Sequence, residues 1–345
     1  MAVLRPIELG LTIGRLEPGP RDAITDVRGV RVGHCTLIDP DRRLRTGVTI
    51  IRPCDDPWTE RPIAAYDVLN GFGKSVGLPQ LAELGELETP IGLTNTLAVW
   101  TVARRLAELT ARRDPRIWSV NPVVGECNDG ALSDIAAFPI TDSHVDAALD
   151  AASAEVAEGD VGAGAGTRAW GYKAGIGTAS RVAASGAGRC VVGVLTLPNT
   201  GRREDLRIGG FPVGALMLGP PTAPEGKSGS IMMVLATDAP VDARQLRRLA
   251  KRCALGLARV GGTASHGSGD FTIAFAPRRE ERLRDGELTP LFEAAVEATE
   301  AAIIHGLFAS RDAVDREGAP VPALPAREVV ARVYAARAAL IGDRI

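Results

Sequence analysis

The stretch EGKSGSIMMVLATDAP, residues 225–240, joins a polar, glycine-rich segment directly to an apolar run. The Ile, Met, Val, Leu and Thr residues of that run predict a buried strand that begins at Ser230. A serine at this junction lies at the edge of a sheet, and Gly229 before it permits backbone geometries that other residues avoid. A Gly-Ser pair alone is more often a plain turn, so its meaning depends on the rest of the chain.

Other strand-like runs are bounded by Gly or Pro, namely VRVGHCTL from Val30, TGVTII from Thr46, CVVGVLTLPN from Cys190 and DFTIAFAP from Asp270. Apolar periodicity and capping signals predict helices over residues 242–260, 289–308, 326–340 and 144–159, the last one capped by Asp142 or Ser143. Strands mixed with helices predict a sheet-based α/β or α+β fold in which helices cover the sheets. The length favours one domain over residues 1–345. The proline-rich LGPPTAPEGKSG before Ser230 predicts a long loop.

The composition excludes several classes of protein. The 40 Lys and Arg residues nearly balance 42 Asp and Glu residues, which favours a small-molecule or peptide partner over nucleic acid or a membrane surface. The five cysteines are scattered and lack the spacing of a zinc site or a disulfide framework. The first residues lack the apolar core of a signal peptide, and no apolar run is long enough to span a bilayer. These features predict a soluble, cytoplasmic protein with reduced thiols.

Cleavage of the bond before Ser230 would place a free α-amine beside the hydroxyl of the same residue. An α-amine has a reference pKa of about 7.7 to 8.0, which suits a general base at neutral pH. One residue would then supply both nucleophile and base, the arrangement of N-terminal nucleophile enzymes. Gly229 would let the hydroxyl approach its carbonyl for an N-to-O acyl shift, so that the bond cleaves itself.

The segment HGSGD, residues 266–270, is the first candidate for groups that support Ser230. The helix after the Ser230 strand is long enough to let the strands at Ser230 and Asp270 run parallel, which brings both to one sheet edge. Ser268 would then contact Ser230, and Asp270 would orient Ser268. The alternative is a strand-entry turn in which Asp270 bonds to local amides. His266 is either a conventional base or a surface residue.

Polar residues also follow two other apolar runs. Asn199 ends CVVGVLTLPN, where its amide would donate to an oxyanion or form an Asx-turn. Glu126, Asn128 and Asp129 in VVGECNDGALSDI are candidate acceptors for a substrate ammonium, or turn and cap residues. The glycine-rich GDVGAGAGT from Gly159 lacks the flanking strand and helix of a dinucleotide fingerprint. We expect its glycines to let the backbone pass close to the active serine.

Six segments, spread in order along nearly the whole chain, carry a family resemblance. They are AITDVRGVRVGHCTL from Ala23, NGFGKSVGL from Asn70, ELETPIGLTNTL from Glu86, GDVGAGAGTRAWGYKAGIGTASR from Gly159, GSIMMVLATDAP from Gly229 and ASHGSGDFTIAFA from Ala264. Together they resemble the L-aminopeptidase/D-esterase family of self-processing serine aminopeptidases, which includes the β-peptidyl aminopeptidases.

The resemblance implies a four-layer α/β/β/α sandwich of the N-terminal nucleophile type, shared with ornithine acetyltransferase-like proteins. It also implies self-cleavage into residues 1–229 and residues 230–345, which stay associated. The family uses no metal or cofactor. It implies a homo-oligomer, a tetramer of processed heterodimers.

Site residues are implied position by position. Ser230 matches the nucleophile of the family, Ser268 the serine beside its amine, Asp270 the acidic residue behind that serine, and Asn199 the oxyanion-hole amide. Asp270 is shorter than the Glu of some members. Asn128 stands at about the place where some members have a tyrosine.

The leading hypothesis is an aminopeptidase, amidase or esterase that forms an acyl-enzyme on Ser230 and releases small N-terminal residues from peptides, amides or esters. An acyltransferase of the ornithine acetyltransferase type is one alternative, which Ser230 disfavours because those enzymes use a threonine. The other alternative is a binding protein in which the bond between Gly229 and Ser230 stays intact.

Overall fold

The structure is a computed structural model that describes residues 4–217 and 229–342, so residues 218–228 of the predicted proline-rich loop lie outside it. Within the described ranges the strands are β1 (Arg31–Asp39), β2 (Leu44–Arg52), β3 (Ile63–Gly71), β4 (Ile91–Asn95), β5 (Val123–Cys127), β6 (Arg168–Ala169), β7 (Tyr172–Lys173), β8 (Gly177–Ser185), β9 (Gly188–Asn199), β10 (Ser230–Thr237), β11 (Gly269–Ala276), β12 (Ala313–Val314) and β13 (Pro320–Val321). The α-helices are α1 (Pro57–Glu60), α2 (Leu78–Leu84), α3 (Val99–Ala111), α4 (Asp142–Asp150), α5 (Val213–Leu216), α6 (Ala243–Arg259), α7 (Thr289–Ala309) and α8 (Ala326–Gly342).

Two sheets carry most of the strands. One has four strands in the order β1-β2-β4-β5, and the other has five in the order β3-β11-β10-β9-β8. The predicted strand at Ser230 is β10, in the middle of the five-stranded sheet. It runs parallel to β11 and antiparallel to β9, which confirms the parallel pairing expected from the length of the intervening helix.

Three apolar layers separate the sheets and helices. Residues such as Leu93 of β4 and Met232 of β10 fill the space between the two sheets. Ile231 of β10 points the other way and packs in a layer that includes residues of α6 and α7. In the third layer, Ile50 of the four-stranded sheet packs with residues of α3 and α4. The four-layer α/β/β/α sandwich is therefore confirmed, and β10 is continuously apolar after Ser230 because both of its faces are covered.

Helix α6 connects β10 to β11 so that both strands begin at the same end of the five-stranded sheet. It begins with a capping box, because the Asp242 carboxylate accepts from the Gln245 N–H at 2.7 Å and the Gln245 side chain accepts from the Asp242 N–H at 3.2 Å. Helix α7 packs beside it and buries nearly all of its length. In the part of the chain that the structure describes, no helix combines the length and apolar character needed to cross a membrane.

The prediction for α4 is wrong at both ends. Thr141, rather than Asp142 or Ser143, precedes the first turn, and its N–H donates to the His144 Nδ1 atom at 3.0 Å. The helix stops at Asp150 although the apolar pattern continues to residue 159. It stops because the main chain of Ser153 pairs with β1, so a long-range bridge overrides the local periodicity.

Candidate active site

Ser230 occupies the first position of β10, in the middle of the five-stranded sheet. It pairs directly with Asn199, the last residue of β9, and its Oγ accepts a hydrogen bond from the Gly269 N–H at 3.1 Å. The site therefore forms where β9 ends and β10 and β11 begin. Ser230 is nearly buried, with 8% of its surface exposed.

The alternation of side chains along the strands divides the candidate residues between two faces of the sheet. Ser230 lies on the same face as Met232, which packs between the two sheets, and its direct neighbour Asn199 shares that face. Asp270 lies on the same face as Ala274, which packs in the layer of α6 and α7. The serine hydroxyl and the Asn199 amide therefore face the space between the sheets, and Asp270 lies behind them.

Ser268 and Asp270 form a buried pair. The Ser268 hydroxyl donates to Asp270 Oδ1 at 2.6 Å, and both residues are fully buried. The other carboxylate oxygen of Asp270 has no hydrogen-bond partner among the described residues. Burial raises the pKa of Asp270 to about 6, against the opposing effects of the Ser268 hydroxyl and the nearby Ile231 main chain. A positive charge nearby would favour the ionised form of this carboxyl.

The Asn199 side chain is held by two main-chain groups. Its Oδ1 accepts from the Arg168 N–H at 3.1 Å, and its Nδ2 donates to the Asn128 carbonyl at 2.8 Å. The Asn128 side chain is turned away, because its Oδ1 accepts from the Gly130 N–H at 2.9 Å. The structure thus brings the Asn128 carbonyl, rather than its side-chain amide, against Asn199.

Glu126 and Asp129, the two candidate carboxylates, differ in their surroundings. Glu126 is buried, accepts from the Lys74 N–H at 2.9 Å and also accepts from the Thr96 hydroxyl. Asp129 is 1% exposed, and neither of its carboxylate oxygens has a hydrogen-bond partner within the described chain. Burial raises the pKa of Asp129 to about 7, against the weaker effect of the nearby Thr46 hydroxyl.

His266 and its turn are organised by a residue that sequence reasoning did not single out. The Asn70 side chain donates to the carbonyls of Ser265 and His266 at 3.1 Å each, and to that of Ser268. The His266 ring is exposed, with its centroid 6.2 Å from that of Phe72, and it makes no hydrogen bond or ion pair with any residue that the structure describes. The Asn-Gly pair that ends β3 is the only signal in the sequence for the role of Asn70.

The glycine-rich segment lies elsewhere than expected. Residues Gly162–Gly166 form a buried 3₁₀ helix against β2. A Cβ atom on Gly162 would lie 2.3 Å from Thr49 Oγ1, and one on Gly166 would lie 2.1 Å from the Arg45 carbonyl. These glycines permit close approach to β2 and not to Ser230. In residues 4–217 and 229–342, no group of three or more His, Cys, Asp or Glu side chains is arranged to hold a metal ion.

Known proteins resemble this chain over most of its length. The model of peptidase family S58 matches residues 22–321. The chain is 37% identical to the β-peptidyl aminopeptidase BapA of Sphingosinicella xenopeptidilytica, over 93% of this chain and 88% of that protein. Among solved structures, a β-aminopeptidase of Burkholderia sp. is 40% identical, with a TM-score of 0.89 and coverage of 95% of this chain and 97% of that one.

A third relative links the fold to a reaction class. The L-aminopeptidase D-Ala-esterase/amidase of Ochrobactrum anthropi has a TM-score of 0.87 and 34% identity, with coverage of 96% of this chain and 99% of that one. That protein is described as a prototype for the serine aminopeptidases and as a variant of the Ntn hydrolase fold. The described sandwich has the same fold.

Proposed function

The chain belongs to peptidase family S58 and is a serine aminopeptidase, and we propose that it matures by cleaving its own bond between Gly229 and Ser230. The mature enzyme then hydrolyses small peptides, amides or esters through an acyl-enzyme on Ser230. One observation carries this assignment: the Ser230 hydroxyl, at the first residue of β10, shares a sheet face with the Asn199 amide. The buried pair of Ser268 and Asp270 lies directly behind.

Self-cleavage would proceed by an N-to-O acyl shift. The Ser230 Oγ attacks the Gly229 carbonyl, and an ester forms as the C–N bond breaks. The hydroxyl proton passes to the serine nitrogen, which leaves as a free amine. Water then hydrolyses the ester and leaves residues 1–229 and residues 230–345. Only glycine fits at position 229, because a Cβ atom there would lie 1.8 Å from the Asn199 carbonyl oxygen.

The freed amine of Ser230 would act as the general base. Its nitrogen belongs to the main chain and so lies between the two faces of the sheet, within reach of its own hydroxyl and of the pair behind it. When the hydroxyl attacks a substrate carbonyl, the amine takes the proton and becomes an ammonium. The Ser268 hydroxyl and the Asp270 carboxylate, whose neighbour in the register is Ile231, would stabilise that charge. The leaving amine then takes the proton, and water repeats the sequence to release the acyl group.

Asn199 would stabilise the oxyanion in both steps. A side-chain amide N–H aimed at the developing charge is the usual way to stabilise a tetrahedral intermediate. The pairing of Asn199 with Ser230 places the two side chains side by side on the inner face. We propose no metal or cofactor for this chemistry, because the serine, its amine and the Asn199 amide supply nucleophile, base and oxyanion donor.

The substrate ammonium fits Glu126 best among the three candidates in its segment. Glu126 lies at the end of β5 and accepts from Lys74, and a Cβ atom on Gly73 would lie 3.3 Å from its Oε1 atom. Both carboxylates are buried, but the Gly73 turn beside Glu126 also meets the start of β11, because a Cβ atom on Gly269 would lie 3.0 Å from the Gly73 Cα atom. Asp129 instead lies beside Gly166, and Asn128 offers its carbonyl to Asn199. Because BapA and the Burkholderia relative are named for β-peptides, we infer that N-terminal β-residues are among the substrates.

The expected location and assembly also belong to this proposal. The family resemblance and the nearly balanced charge of the chain support a cytoplasmic homo-oligomer, a tetramer of processed heterodimers. Size-exclusion chromatography with light scattering on the processed protein measures the assembly directly.

A matched pair of substrates tests the aminopeptidase assignment. We expect hydrolysis of an alanyl anilide with a free amine and no hydrolysis of its N-acetylated analogue. Glu126→Gln should raise KM for the free-amine substrate more than it lowers kcat. Equal turnover of both substrates would contradict an ammonium site. Product formation that depends on an added amine acceptor would point instead to the acyltransferase alternative.

A further inference from the structure

We propose that the main-chain N–H of Arg168 positions the Asn199 side chain by fixing which end of its amide carries the N–H groups. The inference rests on the proposed role of Asn199 as oxyanion donor and names the group that orients it. The evidence is a pair of hydrogen bonds made by the Asn199 side chain. Its Oδ1 atom accepts from the Arg168 N–H at 3.1 Å, and its Nδ2 atom donates to the Asn128 carbonyl at 2.8 Å.

The two partners leave Asn199 a single stable orientation. A peptide N–H only donates and a peptide carbonyl only accepts. If the amide rotated by half a turn, its NH₂ would meet the Arg168 N–H and its oxygen would meet the Asn128 carbonyl, so both bonds would be lost. In the observed orientation, one N–H of Nδ2 serves Asn128. The other has no acceptor in the described part of the chain, and Ser230 is the adjacent residue across the strand pair.

Arg168 is itself held by a tight hairpin. Strands β6 and β7 pair Arg168 with Lys173 and Ala169 with Tyr172, so the turn contains only Trp170 and Gly171. Both turn residues have left-handed φ values, 50° and 75°, as a two-residue hairpin of this kind requires. A bulky residue rarely adopts that conformation, and here Trp170 is fully buried.

The hairpin is joined to the strand end that carries Asn199. The Trp170 N–H donates to the Thr200 carbonyl at 2.8 Å. Gly201 packs on the indole, because a Cβ atom there would lie 2.4 Å from the Trp170 Nε1 atom. The hairpin that carries the Arg168 N–H and the chain that follows Asn199 are therefore locked together.

Lys173 anchors the other side of the hairpin. Its ammonium is fully buried, lies 2.8 Å from Asp160 Oδ1, and donates to the carbonyls of Gly164, at 3.1 Å, and Ala174. Two of these contacts are hydrogen bonds and the third is an ion pair, so the ammonium is held by three groups. The glycine-rich segment, which the proposed reaction does not otherwise use, thus supports the position of Arg168.

One substitution removes the proposed N–H specifically. Arg168→Pro deletes the donor, and Thr167 already has the extended conformation that precedes proline, with φ −92° and ψ 154°. Arg168→Ala is the matched control because it removes the side chain and keeps the N–H. We expect Arg168→Ala to retain kcat within threefold. Arg168→Pro should lower kcat at least tenfold with KM within threefold, when turnover is normalised to the processed fraction.

A double-mutant cycle separates positioning from general damage. In an Asn199→Ala background, Arg168→Pro should change kcat, and the rate at which the chain of residues 230–345 appears, by less than twofold. An equal loss in both backgrounds would overturn the inference. The inference would also be overturned if Arg168→Pro kept the wild-type kcat while Asn199→Ala alone lowered kcat. Full kcat in Asn199→Ala would instead overturn the oxyanion role itself.

A second route removes the same atom if Arg168→Pro does not fold. An α-hydroxy acid incorporated at position 168 replaces the amide by an ester and deletes only the N–H. The expected result is the same loss of at least tenfold in kcat with unchanged KM. An ester variant with wild-type kcat would overturn the inference.

Discussion

Replacing Asp129 by asparagine should stabilise the protein, and the gain should grow as the pH rises. The carboxyl has a pKa of about 7 in the folded chain against a reference value of 3.8, because burial disfavours its charge. A raised pKa means that the folded state binds the proton more tightly than the unfolded state does. The stability that the protonated Asp129 carboxyl contributes is complete below about pH 3.8 and is lost as the pH rises to about 7.

The size of the effect follows from the pKa difference. About three pKa units at 1.36 kcal/mol each correspond to about 4 kcal/mol lost by the wild type above pH 7. Asparagine has nearly the same shape and carries no charge at any pH. Its advantage over aspartate should therefore grow by about 2 to 3 kcal/mol between pH 5 and pH 8.

The assay is urea unfolding followed by circular dichroism at pH 5, 6, 7 and 8. A Ser230→Ala background keeps the chain in one piece, so that unfolding and refolding can be compared. Asp41→Asn, an exposed carboxylate between β1 and β2, is the matched control and should show no such growth. The reasoning would be refuted if the free energy of unfolding of Asp129→Asn exceeded that of its parent by the same amount at pH 5 and at pH 8. In the self-processing enzyme, Asp129→Asn should leave KM within twofold, since Glu126 rather than Asp129 is proposed to bind the substrate ammonium.

Two further predictions concern the groups around Ser230. Ser268→Ala and Asp270→Asn should each lower kcat/KM more than tenfold, over about 1.4 kcal/mol in transition-state stabilisation, without loss of the folded circular-dichroism spectrum. His266→Ala, the matched control on the same turn, should lower kcat/KM much less. If His266→Ala abolished activity while Asp270→Asn left kcat/KM unchanged, a Ser-His mechanism would be favoured. The amine is tested by producing the two chains separately with one extra residue before Ser230, which keeps the hydroxyl and moves the amine. Esterase activity, which should rise with pH through an ionisation near ~7 to 8 in the native enzyme, should collapse in that form. Full activity there would reject the amine as base.

The sequence predicts the elements that carry strong local signals. The strands at Ser230 and Asp270 and the helix between them follow from apolar runs and a periodic, capped segment, and their parallel pairing follows from the length of the connection. The same logic places Asn199 at a strand end. Its pairing with Ser230 depends on the register of β8, β9 and β10, which no local pattern specifies.

Other features depend on contacts far apart in the chain. Strand β4 is only five residues long, Ile91–Asn95, and is stabilised by β2 and β5 rather than by a pattern of its own. Asn70 bonds to carbonyls nearly two hundred positions away, so its role has no local trace beyond an Asn-Gly pair. The early end of α4 at Asp150 has the same origin, because a bridge to β1 outweighs helical periodicity.

The division of the site between two sheet faces follows from the register of β10 and β11, which the sequence does not specify. Once β10 and β11 are parallel with Ile231 opposite Asp270, alternation alone places Asp270 on the face away from the Ser230 hydroxyl. That placement explains why the proposed partner of Ser268 and Asp270 is the amine of Ser230 and not its hydroxyl.

The most direct test of the proposed mechanism is the intact mass of the purified protein together with N-terminal sequencing of its chains. Self-cleavage predicts two masses, for residues 1–229 and residues 230–345, and a second N-terminus that reads Ser-Ile-Met-Met. Ser230→Ala should give one uncut chain and no turnover. A preparation with full aminopeptidase activity that contains only the uncut chain of 345 residues would contradict the mechanism.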